Sequence, residues 1–309
     1  MKVNILLSTY NGERFLEEQI RSIQAQTYTD WTLFIRDDGS TDGTVALIQQ
    51  FVKEDQRIEF INENDRRNLG VIKSFHTLLM YQKADFYFFS DQDDRWLKDK
   101  LALTLEKAKE EDTSQPLMIY TDLKVVTQDL EVIYESMIRT QSHHANTQLV
   151  QELTENTVTG GTSLINHALA ELWKGDEEIV MHDWYLALLA AAFGKLVYID
   201  VPTQLYRQHS DNVLGARTLS KRFKKWVRPH TLFAVYWDLI KNSQKQARHL
   251  LHMPLSHSNR ELIEAFVTIM DKPILERFRI LKKYGLRKNK AFHTLVFTTL
   301  ILTKFAYKE

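Results

Sequence analysis

Cysteine is absent from this chain of 309 residues. That absence removes disulfides, thiolate metal sites and thiol nucleophiles together. Neither sign of charge prevails: Lys+Arg and Asp+Glu both number 40, which leaves no electrostatic argument for a nucleic-acid partner. No run reaches the roughly eighteen apolar residues of a membrane span. The opening Met1-Lys2-Val3-Asn4-Ile5-Leu6-Leu7 has too short an apolar core for a secretion signal and reads as a first strand. A cytosolic chain, soluble or surface-bound, is the expectation. With 44% hydrophobic and 26% charged residues the composition is globular and excludes wholesale disorder. The length allows one large domain or a domain with an extension.

The chain is organised around Phe86-Tyr87-Phe88-Phe89-Ser90-Asp91-Gln92-Asp93-Asp94-Arg95-Trp96. The aromatic run reads as a buried parallel strand. Three carboxylates follow at its carboxyl end, where ligands bind in open α/β sheets. Carboxylates so crowded repel one another unless a cation joins them, and a hard divalent metal bridging a phosphate serves that purpose. The plainer account is an acidic cap for a helix over Trp96–Lys109, for which one Asp is enough.

Two earlier strand–loop–helix units precede it. Val3–Leu7 leads into Ser8-Thr9-Tyr10-Asn11-Gly12, a turn where backbone N–H groups can approach a ligand. Trp31–Ile35 ends in Arg36-Asp37-Asp38-Gly39-Ser40. Asp38 there is either an Asp-Gly turn former or an acceptor for a nucleobase N–H or a ribose hydroxyl. A third strand, Ile58–Ile61, is followed by Arg66-Arg67, which can steer phosphate or stay solvated. The helix Val71–Tyr81 then leads to the central strand. Strands alternating with amphipathic helices predict a wound, parallel sheet.

Further on, Met118–Val126 is a strand interrupted at Thr121-Asp122, and Arg139–Gln148 reads as a loop. Gly160-Gly161 is a turn that permits close backbone approach. In Met181-His182-Asp183-Trp184, Asp183 can cap a helix, serve as a general base, or do both. Leu196–Ile199 is another strand, after which Arg207 and His209 would suit a diphosphate and its metal. Beyond residue 216 strands give way to helices over Leu232–Leu251, Asn259–Met270, Pro273–Tyr284 and Lys290–Tyr307. Arg217, Lys221, Arg222, Lys224, Lys225 and Arg228 flank Phe223 and Trp226 without an acidic neighbour. Such a run suits an anionic membrane surface, or the solvated face of a helical cap or oligomer contact.

Taken in order, Ser8-Thr9-Tyr10-Asn11, Asp37-Asp38-Gly39-Ser40-Thr41-Asp42-Gly43-Thr44, Asn68-Leu69-Gly70, Asp91-Gln92-Asp93-Asp94, Gly160-Gly161 and His182-Asp183-Trp184 resemble the family 2 glycosyltransferases. Within them the chain looks most like bacterial rhamnosyltransferases of cell-wall polysaccharide synthesis. The resemblance implies an α/β, GT-A (Rossmann-like) fold over 1–215, a mostly parallel sheet flanked by helices, with a helical extension over 216–309. It implies nucleotide binding by Ser8, Thr9, Tyr10, Asn11, Asp38, Arg67 and Asp91. Mg²⁺ or Mn²⁺ would be held by Asp93, with Asp91 and His209. Asp183 would be the base, and Gly160, Gly161, His182, Trp184 and Arg207 would contact donor or acceptor. Many relatives have Glu-Asp where this chain has His182-Asp183, and the Gln-x-x-Arg-Trp of processive synthases is missing. The implied reaction is inverting transfer, with dTDP-β-L-rhamnose as donor and a lipid-linked saccharide as acceptor. Peripheral membrane contact and a homo-oligomer are compatible with it. A UDP-hexose donor, or a non-catalytic nucleotide-sugar-binding scaffold, are the alternative readings.

Overall fold

The computed structural model describes residues 1–175, 178–209 and 229–307. Four strands, β1 (Val3–Thr9), β2 (Thr32–Asp37), β3 (Ile58–Phe60) and β4 (Phe86–Ser90), form a parallel half-sheet in the order β3-β2-β1-β4. Crossover helices α1 (Leu16–Gln24), α2 (Thr44–Glu54) and α3 (Val71–Tyr81) join them. Ile5, Leu6, Leu7, Phe88 and Phe89 are buried, because helices cover both faces of a parallel sheet. Leu7 pairs with Ile35 on one side and Ser90 on the other. That register brings the polar turns after β1, β2 and β4 to one edge.

The second half of the sheet is mixed. β6 (Leu117–Val126) runs parallel to β9 (Lys195–Arg207), and the short β8 (Ser163–Asn166) lies antiparallel between β4 and β6. β7 (Val132–Tyr134) pairs with β6. The β6–β9 register shifts at Thr121/Asp122, where the sequence breaks its apolar run. β5 (Arg95–Trp96) pairs antiparallel with Gln204 and Leu205. Trp96 is therefore in a strand, and helix α4 starts at Lys100 and ends at Lys109. The expected loop at Arg139–Gln148 begins in a turn of π-helix, Ile138–Ser142.

Three helices complete this region: α5 (Leu149–Glu152), α6 (His167–Ala170) and the apolar α7 (His182–Phe193). The C-terminal part is helical as expected, with α8 (Pro229–Leu250), α9 (His257–Val267), α10 (Ile274–Tyr284) and α11 (Ala291–Thr303). Trp237, Ile240, Phe266, Phe297 and Leu300 share one hydrophobic core with Phe75, Phe89, Tyr120 and the α7 side chains. Polar ties reinforce that packing: Ser243 Oγ donates to Leu153 O at 2.6 Å, and Val180 N to Gln246 Oε1 at 2.8 Å. The 215/216 boundary, Ser210-Asp211-Asn212 and the basic run from Arg217 to Arg228 lie outside the described residues.

Candidate active site

The acidic turn after β4 is tied down on both sides. Gln92 brackets the β1 turn, accepting from Tyr10 N and donating to Tyr10 O, both at 2.9 Å. Asp94 is fully buried. It accepts from Gln204 Nε2 at 2.9 Å and Arg207 N at 3.2 Å, so it fastens the turn to β9 and is not placed to bind a ligand. Asp93 Oδ2 lies 2.7 Å from His209 Nε2, and Arg207 Nε donates to Asp93 O at 2.9 Å. The Arg207 guanidinium also reaches Gln128 O and pairs with Glu18. Its guanidinium thus braces the turn against Gln128 and Glu18.

Beneath the turn is a cation that sequence reasoning overlooked. Lys100 is 1% exposed; its Nζ donates to Gln204 Oε1 at 2.8 Å and to Gly161 O, and lies 4.0 Å from the centre of the Trp96 ring. Burial drives its pKa down to about 7 against the pull of Asp94 and Asp91. Asp91 moves the other way, up to about 7, through burial and then through the charges of Asp93 and Asp183. Within Leu97-Lys98-Asp99-Lys100 this lysine reads as one more solvated charge.

On the nucleotide side, Thr9 Oγ1 donates to Asp37 Oδ1 at 3.1 Å and Ser8 Oγ to Ser74 Oγ at 2.8 Å. Asn11 adopts φ 48° and accepts from Thr41 N at 2.9 Å through its side chain. Tyr10 is exposed at the edge. Asp38 is nearly closed off: it accepts from Arg36 Nη1 at 2.5 Å, Leu69 N at 2.7 Å and Gly70 N at 2.8 Å. The turn former and the candidate base acceptor are therefore two residues, with Asp37 shaping the turn through Gly39 N and Ser40 N. Arg67 stands on the surface, paired with Asp65 at 2.8 Å, so solvent and that carboxylate account for its charge.

Opposite stands Asp183, in the first turn of α7. Its Oδ2 accepts from Gly160 N at 3.0 Å and its Oδ1 from Trp184 N at 2.6 Å. Burial lifts its pKa to about 6, while these N–H groups draw it down. Gly161 faces the acidic turn: a Cβ there would sit 3.2 Å from Asp91 Oδ2 and 3.0 Å from Gln204 Nε2. Gly161 thus lets the Gly160–Thr162 turn, whose Gly160 N–H holds Asp183, approach the turn carrying Asp91. His182 and Trp184 are both buried, and the His182 ring lies beside Gly160, where a Cβ would sit 2.8 Å from Nε2. His182 packs against Phe75, its ring centre 4.4 Å away, and against Phe89 and Trp173. Neither His182 ring nitrogen has a hydrogen bond, and burial pushes its pKa down to about 3. Trp184 Nε1 donates to Glu152 O at 2.9 Å. Both side chains anchor α7 in the core. Glu152 is another buried carboxyl, one the sequence leaves unmarked; burial raises its pKa well above the carboxylate range, ahead of the added repulsion from Asp183.

The donor set suits a hard divalent cation: Asp91, Asp93 and the His209 imidazole. Among the described residues, however, no three His, Asp or Glu side chains already converge as a cage. Any such ion would need oxygens from its ligand.

A half-wound sheet with an acidic turn at its central carboxyl edge, facing a carboxylate on an opposing helix, defines a GT-A glycosyltransferase. Solved structures share the architecture. Staphylococcus aureus TarS 1-349 in complex with UDP-GlcNAc aligns over 92% of this chain and 80% of its own, with TM-score 0.61 and 16% identity. Mannosyltransferase PcManGT from Pyrobaculum calidifontis, in complex with GDP-Man and Mn²⁺, aligns over 98% and 87%, with TM-score 0.53 and 13% identity. The family model "Glycosyl transferase family 2" matches residues 4–173, and the chain belongs to that family. The dTDP-rhamnosyl transferase RfbG of Shigella flexneri is 29% identical over 223 residues, 68% of this chain and 74% of that protein. A Campylobacter jejuni GalNAc(5)-diNAcBac-PP-undecaprenol beta-1,3-glucosyltransferase is 33% identical over 110 residues, 35% of each chain. Among the described residues no helix is long and apolar enough to cross a membrane.

Proposed function

We propose that the chain is an inverting rhamnosyltransferase. It would move L-rhamnose from dTDP-β-L-rhamnose to a hydroxyl of a lipid-linked saccharide. The observation that carries the catalytic reading is the Asp183 carboxylate, held by Trp184 N–H within α7 and by Gly160 N–H of the turn that faces Asp91. With its pKa near 6 this group is ionised at neutral pH yet basic enough to take a proton. Asp183 accepts the proton of the acceptor hydroxyl as the oxygen attacks the anomeric carbon from the face opposite the diphosphate. The bond to the nucleotide oxygen breaks, and the configuration changes from β to α. Asp93, with Asp91 and His209, would hold Mg²⁺ or Mn²⁺, which neutralises the charge developing on the diphosphate. Ser8, Thr9, Tyr10, Asn11 and Asp38 would line the nucleotide side. Gly160 and Gly161 would supply the backbone floor of the acceptor side. Lys100 and Arg207 keep the acidic turn in register with β9.

The rhamnosyl assignment draws on the similarity to RfbG, named a dTDP-rhamnosyl transferase. A UDP-hexose donor is the second reading, favoured by the match to a glucosyltransferase from Campylobacter jejuni. Residues 1–215 would form the transferase domain and 216–309 a helical extension. The test is the anomeric configuration of the product, read by NMR after transfer from dTDP-β-L-rhamnose to a synthetic lipid-linked acceptor. An α linkage is expected. A β linkage would remove single displacement, and with it the role of Asp183.

A further inference from the structure

We propose that α10 and α11 form a docking surface for an anionic lipid bilayer. The inference rests on the reading above for its purpose, a lipid-borne acceptor, but its evidence lies elsewhere on the molecule. Helix α10 buries Arg277 and Leu281 yet leaves Ile274, Leu275 and Phe278 53%, 70% and 53% exposed. On α11, Phe292 and Leu295 are 57% and 64% exposed, and Phe305 follows at 58%. Single exposed apolar residues are ordinary. Here large ones recur at helical spacing on two consecutive helices.

Basic side chains outnumber acidic ones along this surface, although Glu155 borders it by accepting from Asn289 N at 2.9 Å. Between residues 272 and 290 the only acidic side chain is Glu276, and it lies 3.8 Å from Lys272. Arg279, Lys282, Lys283 and Arg287 are all exposed. Lys283 is 3.9 Å from Glu261, a distance at which a surface pair contributes little. A groove of about 1000 Å³ continues the surface between α10–α11 and the 144–151 segment. Arg287 and Lys288 line it together with Tyr284 and Leu295, so cationic and apolar groups share one opening.

The combination selects the occupant. A second copy docked through the same patch would bring two surfaces rich in Arg and Lys together, because a two-fold interface apposes the same patch on both subunits. A nucleic acid would satisfy the charges and leave Leu275, Phe278 and Leu295 facing water. Insertion across a bilayer lacks a suitable helix among the described residues. An anionic bilayer surface meets both requirements: head-group phosphates take the basic groups while the apolar side chains enter the acyl boundary.

The test is co-sedimentation of the full chain with vesicles of equimolar phosphatidylglycerol and phosphatidylcholine, against phosphatidylcholine alone. Binding is expected only with phosphatidylglycerol, weakening as salt rises. Neutralising two basic groups in Arg279→Gln/Lys282→Gln should weaken it roughly 30-fold, since each is worth about a factor of five near such a surface. Leu275→Ser/Phe278→Ser should keep the initial attraction and make it fully reversible by salt. Absence of binding to phosphatidylglycerol, or binding that neither pair reduces, overturns the proposal. Self-association abolished by the same substitutions, without lipid binding, overturns it in favour of a second copy. Affinity for dTDP, measured by calorimetry on the same preparations, reports the folded state of each variant. If wild-type protein binds vesicles but not dTDP, the dTDP-rhamnose reading fails while this surface stands.

Discussion

Replacing Asp183 by Asn separates catalysis from folding, and the structure sets the size of both effects. Asn retains the shape but cannot take a proton at neutral pH. Losing a positioned base typically costs 10²–10⁴ in rate, or about 3–5.5 kcal/mol of barrier. The stability effect has the opposite sign. In the fold the Asp183 carboxyl binds its proton more tightly than in the unfolded chain, its pKa rising from 3.8 to about 6. Its stabilising contribution is therefore complete below the unfolded value and lost as pH rises through about 6. At neutral pH the ionised group costs up to about 3 kcal/mol, an upper bound because Asp183 is only half-buried. Asn escapes that cost, but its amide must face one of the two N–H groups the carboxylate now accepts from, forfeiting about 1–2 kcal/mol. The net gain is about 1–2 kcal/mol, a rise of a few degrees in Tm at pH 7 that vanishes towards pH 4. The assays are transfer under saturating donor and calorimetric melts at both pH values. In the wild type, kcat/KM should fall about tenfold per pH unit below pH 6. Turnover of Asp183→Asn within tenfold of wild type would refute the argument.

Three further outcomes follow from the same geometry. Asp93→Asn should raise the Mn²⁺ concentration for half-maximal activity more than tenfold, with secondary structure intact by circular dichroism; an unchanged Mn²⁺ titration would remove Asp93 as a ligand. Lys100→Met orphans Gly161 O and Gln204 Oε1; it should cost about 1–3 kcal/mol in denaturant unfolding and lower kcat by loosening the turn that holds Asp183. Gly194→Ala would place a Cβ 1.9 Å from the Pro116 carbonyl oxygen, backbone that cannot step aside, so a loss of about 1–3 kcal/mol or more is expected by the same unfolding assay.

The parallel half of the sheet was legible because each strand there is a short apolar run that stops at a polar, Gly- or Asp-bearing turn. The site's outline was legible for the same reason, since parallel topology delivers those turns to one edge. What escaped is decided by pairing across long separations. Trp96 follows an acidic cap and looks helical, yet Gln204 and Leu205 recruit Arg95 and Trp96 into a strand. Ser163–Asn166 is too short to announce itself as the antiparallel strand between β4 and β6. His182 and Trp184 flank Asp183 in sequence, but successive helical residues point in different directions, and those two point into the core. Arg207 looked like a phosphate ligand because sequence carries no trace of Glu18 and Gln128, its partners across the sheet. Lys100 and Glu152 were invisible for the complementary reason: a charged residue next to other charged residues reads as solvated, and only the fold buries it.

The measurement that bears most directly on the whole account is turnover by the purified chain. It would compare dTDP-β-L-rhamnose, UDP-glucose, UDP-galactose and UDP-N-acetylglucosamine, each with a lipid-linked acceptor and Mg²⁺ or Mn²⁺, with and without chelator. Turnover of dTDP-β-L-rhamnose alone, abolished by chelator and restored by added metal, is the predicted result. Turnover of a UDP-sugar in its place, or chelator-resistant transfer, would contradict it.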